Sequence, residues 1–61
     1  MTPKADRVAL LEQEAAEAGD YATVRDCRLT LAWIRQGWPS GTALPRYVKA
    51  VNSALRGAIN D

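Results

Sequence analysis

The adjacent pair Gly19-Asp20, set between two amphipathic stretches, constrains this chain more than any other feature of its sequence. Glycine after a helical run takes the left-handed conformation that ends a helix at little cost. Aspartate is among the best residues for starting one, because its carboxylate accepts from exposed first-turn amides and sits well in the helix dipole. With a joint this short, the two flanking helices must double back as an antiparallel hairpin.

The periodicity on both sides fits. At about 100° per residue, Val8, Leu11, Ala15 and Ala18 share one face, with Ala5 beside them. Thr2 can cap this first helix, and Pro3 suits its first position. Val24, Cys27, Leu31 and Ile34 form the core stripe of a second helix, which Gly37 stops. Trp38, Pro39, Ser40 and Gly41 read as a loop, and Thr42 as the cap of a third helix with Pro45 in its first turn. Leu44, Tyr47, Val48, Val51, Leu55, Ala58 and Ile59 share a face of that helix. The expectation is an all-α three-helix bundle, with helices over 3–18, 21–36 and 43–59. The alternative is a looser helical unit completed by dimerisation.

With 61 residues, the chain is read as one domain, 1–61, which buries only about 60% of the surface its unfolded form exposes. Small domains add disulfides, a metal, very regular packing or a partner subunit. Cys27 is the only cysteine and there is no histidine, so an intrachain disulfide and a structural zinc are both excluded. Packing or association must supply the rest.

The same inventory argues against catalysis, metals and cofactors. There is no histidine base, no nucleophile with an activating partner and no glycine-rich phosphate loop. Glu12, Glu14 and Glu17 lack the histidines that complete helical di-metal sites. So small a bundle also leaves little room for a ligand pocket of several hundred cubic ångströms. Cys27, on the core stripe, reads as a small buried hydrophobe. The N-terminal stretch lacks the apolar run of a signal peptide, and no segment approaches the ~20 apolar residues of a membrane span. With a free thiol, this predicts a cytoplasmic protein without membrane partners.

Charge is polarised along the chain. Residues 1–20 hold Lys4 and Arg7 against five carboxylates, a net −3, while residues 21–61 hold six cations against Asp26 and Asp61, a net +4. Folding about Gly19-Asp20 sets Glu14 near Arg25 and Glu12 near Arg28, so cross-helix ion pairs absorb part of the asymmetry. On the third helix, Arg46, Lys49, Ser53 and Arg56 lie within about 80° of one another, opposite the apolar face. A basic stripe of this kind can follow a phosphate backbone. The connection 36–42 is too long for a helix-turn-helix, and the third helix begins with one base-reading side chain, so sequence-specific DNA recognition is not expected.

Leu29 and Trp33 stack one turn apart, on the far side of the second helix from Val24 and Leu31. Either the Trp38-Pro39 loop or the third helix folds over them, or they remain exposed. In the second case Leu29, Trp33 and Trp38, with Arg35 nearby, form a protein-binding or self-association surface of the kind that tryptophan and arginine often anchor.

The stretch AAEAGDYATVRDCRLTL resembles the inner joint of a tetratricopeptide repeat, although no second copy is present. With its Ala-Gly-Asp turn and a cysteine one helical turn after Val24, the segment 14–31 is also similar to small helical proteins carried by phages and other mobile elements. That resemblance implies an accessory protein acting on a host partner and assigns no functional residue. The sequence thus predicts a non-enzymatic protein-binding module, with a nucleic-acid-binding regulator using the third helix as the alternative.

Overall fold

Asp20 receives two hydrogen bonds from the residue three positions on: the Thr23 amide donates to Oδ1 at 3.2 Å and the Thr23 hydroxyl to Oδ2 at 2.6 Å. These contacts hold the Asp20 carboxyl below its ordinary range, the hydroxyl bond contributing most. Their stabilisation is present above the unfolded aspartate pKa and is lost as pH falls through the lowered folded value. Just upstream, Gly19 is left-handed at φ 76° and closes the preceding helix. Its amide donates to Ala16 O at 3.2 Å, and the Asp20 amide donates to Ala15 O at 2.8 Å, the two bonds of a Schellman motif.

The computed structural model describes residues 3–37 and 43–57. It contains α1 (Pro3–Glu17), α2 (Tyr21–Arg35) and α3 (Arg46–Ala54), an all-α arrangement of three helices as the sequence predicts. The first two helices fall within a residue of expectation at each end, and Gly37, at φ 89°, follows α2 as its stop signal.

α3 is much shorter than the 43–59 expected. Pro45 is its N-cap at φ −59°, ψ 158°, an extended conformation, and not a first-turn residue. The residue before a proline is pushed out of the helical region, which keeps Leu44 outside as well. At the other end the Arg56 amide donates to Ser53 O at 3.0 Å and the Gly57 amide to Asn52 O at 2.8 Å. This is a second Schellman motif, with Arg56 at φ 55° in the position glycine usually fills. Thr2, the Trp38-to-Thr42 loop, Ala58 and Ile59 lie outside the described residues.

α2 is the central element, making far more contact with α1 and with α3 than those two make with each other. All three helices converge at Val8, Cys27 and Val51, with Leu11, Leu31, Ile34 and Leu55 packed around them. The fully buried side chains are valines, Thr30 and Cys27, all of modest size. At about 1.5–3 kcal/mol for each fully buried large aliphatic, such a core leaves a thin margin.

The buried arc of α2 is wider than its apolar stripe. Val24, Cys27 and Thr30 are all buried, which extends the arc about 40° beyond Ile34 to Thr30 and moves its centre by roughly 20°. Thr30 is not apolar, but its hydroxyl donates to Asp26 O at 2.7 Å and so enters the interior satisfied.

Candidate functional site

α2 and α3 do not close fully on each other. Between them runs an open groove of about 360 Å³, lined by Arg25, Asp26 and Leu29 from α2 and by Arg46, Tyr47 and Ala50 from α3. The sequence predicts no such space. On the α3 side it begins at the first residue of that helix, Arg46, while Val48 and Val51 are buried. Its lining is mostly apolar, from Leu29, Tyr47 and Ala50, with a guanidinium from each helix and the Asp26 carboxylate beside Arg25.

Leu29 is 44% exposed, one of three large hydrophobic side chains open to solvent among the described residues. Arg25 lies 3.5 Å from Asp26 Oδ1, with the arginine side chain 72% exposed. An exposed pair at this distance contributes little and exchanges readily for another carboxylate. The expected partnership of Arg25 with Glu14 is thus replaced by one with Asp26. The other expected cross-helix pair is present: Arg28 Nε donates to Glu12 Oε2 at 3.3 Å. Arg46 is exposed at the first position of α3, whose N-cap, Pro45, supplies no side-chain hydrogen bond. The positive end of that helix therefore reinforces Arg46 rather than being neutralised by a capping side chain.

The residues singled out in the sequence are redistributed. Leu29 and Arg46, assigned to two different surfaces, line the same groove. Trp33 is half-buried and its indole Nε1 is buried, so it does not present an open indole at the centre of a patch. The extension of the buried arc to Thr30 brings its edge closer to Trp33. Arg35 is exposed, and Trp38 lies outside the described residues. On α3, Lys49 and Ser53 are exposed, but Arg56 sits beyond the helix end in a left-handed conformation. The expected four-residue basic stripe therefore loses Arg56, because the helix ends at Ala54. Sequence reasoning missed Tyr47 and Ala50 as surface-forming residues, and the late start of α3 is the signal that would have placed them.

Cys27 is fully buried. Burial, reinforced by the carboxylates of Glu12, Asp26 and Asp20, pushes its thiol up to about 11 from an ordinary 9.0. The folded pKa is raised, so the associated stability is complete below pH 9 and is lost as pH climbs towards 11. A Cys27→Ala variant is expected to lack this alkaline loss in urea titrations run across that range. In the native protein at neutral pH, alkylation of Cys27 should be at least ~100-fold slower than that of a free cysteine. Rapid labelling of the folded chain would contradict this placement.

Among the described residues, no group of three or more His, Cys, Asp or Glu side chains is arranged to hold a metal ion. Nor is any helix among them long and apolar enough to cross a membrane. No protein-family model, curated protein or solved structure matches the chain.

Proposed function

We propose that this chain is a non-catalytic protein-binding module whose docking surface is the α2–α3 groove, and that it receives an amphipathic helix with acidic flanks. The observation that carries this reading is a groove lined by Leu29, Tyr47 and Ala50 together with the guanidiniums of Arg25 and Arg46. A helix laid in such a groove buries an aliphatic anchor against Leu29, Tyr47 and Ala50, the usual helix-in-groove mode. Carboxylates one turn to either side of the anchor meet the guanidiniums, and one of them also meets the positive end of α3. Charge of this kind sets partner choice and association rate more than affinity. The surface is therefore centred on Leu29 and shifted from Trp33 towards α3.

The test is fluorescence anisotropy with a labelled peptide carrying a leucine flanked by glutamates one helical turn away on each side. Arg46→Glu is expected to weaken binding at least ~10-fold, in line with a like charge placed at the edge of the interface. Helicity should persist in this variant, since a carboxylate at the first position of α3 suits the helix dipole. Equal binding by the wild type and Arg46→Glu would overturn the proposal. So would displacement of the peptide by a DNA duplex in a steeply salt-dependent manner, which would favour phosphate binding through Arg46 and Lys49.

A further inference from the structure

α1 turns an unusual surface to solvent. Asp6, Leu10, Gln13, Glu14 and Glu17 are all exposed and lie within roughly 100° of one another, on the side of the helix opposite Val8. Leu10 is 58% exposed, more open than Leu29. Glu14 lies one turn after Leu10, and Asp6 one turn before it. Glu12, the carboxylate engaged by Arg28, points instead towards α2. The outer face of α1 is thus an aliphatic anchor with Asp6 and Glu14 a turn away on each side and Arg7 at its rim beside Glu14.

We infer that the occupant of the α2–α3 groove is the outer face of α1 from a second copy of this chain, with Leu10 seated against Leu29, Tyr47 and Ala50 and with Asp6 and Glu14 facing Arg46 and Arg25. This rests on the groove being the docking surface, as proposed above, and names its partner. The charge distribution supports it: the first 20 residues are net −3 and the remainder net +4, and the cross-helix pair Arg28–Glu12 uses none of the residues named here. The two surfaces cannot satisfy each other within one molecule. Val8 packs on Cys27 of α2 and Val51 of α3, so the opposite face of α1 is turned away from both helices that line the groove.

Such a contact joins two different patches. Two copies that exchange it reciprocally close as a two-fold dimer, whereas a single contact leaves one free patch on each copy and extends into a ring or an open filament. A single helix in a groove is a small interface, so the association is weak and depends on protein concentration and salt.

The experiment is sedimentation equilibrium on the full chain, with one variant for each patch. Leu10→Lys spoils the α1 face and leaves the groove intact, whereas Arg46→Glu spoils the groove and leaves α1 intact. Both positions are exposed, and circular dichroism confirms the helicity of each variant; Leu10→Gln replaces the lysine variant if helicity drops. Wild type is expected to exceed its 6.7 kDa monomer mass at high concentration and to return to it on dilution or in high salt. Each variant alone stays monomeric, and mixing the two restores a one-to-one dimer of twice 6.7 kDa, because one good groove meets one good α1 face. Wild-type association without recovery in the mixture would overturn the inference in favour of another contact. A wild type that stays monomeric while the acidic peptide still binds the groove would overturn the second-copy occupant and leave the docking surface standing. A monomer that binds no peptide would remove both.

Discussion

Placing aspartate at Val51 is expected to abolish the folded state: the cooperative thermal transition disappears and most of the helical circular-dichroism signal goes with it. Val51 is 1% exposed and packs with Val8 and Cys27 at the point where all three helices meet. A carboxylate at that point has only aliphatic groups and a protonated thiol around it. An unpaired buried charge costs several kcal/mol even after relaxation or neutralisation. At roughly 0.05–0.15 kcal/mol per residue, a chain of 61 residues has only about 3–9 kcal/mol of stability to lose. Val51→Ala, by contrast, should keep the fold and lose about 1–3 kcal/mol through lost burial and a small cavity. A cooperative melt in Val51→Asp close to that of the wild type would show that the helices do not converge there.

Two of the left-handed helix ends, at Gly19 and Arg56, give the next largest effect, with opposite signs. Gly19 has nothing within 4 Å of where a Cβ would stand, so Gly19→Ala tests backbone conformation alone. Its φ of 76° costs an L-residue about 1–2 kcal/mol, which lowers the melting temperature by roughly 4–8 °C per kcal/mol in a domain of this size. Arg56 already bears that strain at φ 55°. Arg56→Gly relieves it, but the added freedom of the unfolded chain offsets part of the gain, leaving about 0.5 kcal/mol of stabilisation. Thermal melts of the two variants check both signs. Equal shifts in the same direction would contradict the assignment of these residues to matching helix ends.

The contrast between those two ends explains how far the sequence could be read. At Gly19-Asp20 the stop and start signals are local and occupy their usual positions, so α1 and α2 are legible to within a residue. At the end of α3 the left-handed position holds arginine, and the glycine comes one residue later. The apolar spacing of Leu55, Ala58 and Ile59 then suggests a longer helix than the one that ends at Ala54. Pro45 misleads similarly at the start, since proline suits both a first turn and the extended residue just before one.

The groove was only half legible. Leu29 stands out because it is apolar and off the stripe of its helix, and Arg46 because it is cationic on a helix with no acidic residue. Joining them requires knowing which flank of α2 the third helix occupies. Thr30 extends the buried arc of α2, but as a polar residue it carries no apolar signal of its own; its bond to Asp26 O makes its burial inexpensive. The same extension brings the arc closer to Trp33, the half-buried residue that dominates the sequence when read alone.

Amide chemical-shift mapping on the isotope-labelled full chain, titrated with the acidic leucine peptide, tests most directly whether the groove is the docking surface. The perturbed amides are expected to cluster at Arg25, Asp26, Leu29, Arg46, Tyr47 and Ala50, with Leu10 and Glu14 unaffected by this occupant once the free chain is held at monomeric dilution. Perturbations centred on Trp33 and Arg35, or confined to Lys49 and Ser53, would place binding elsewhere and contradict the account.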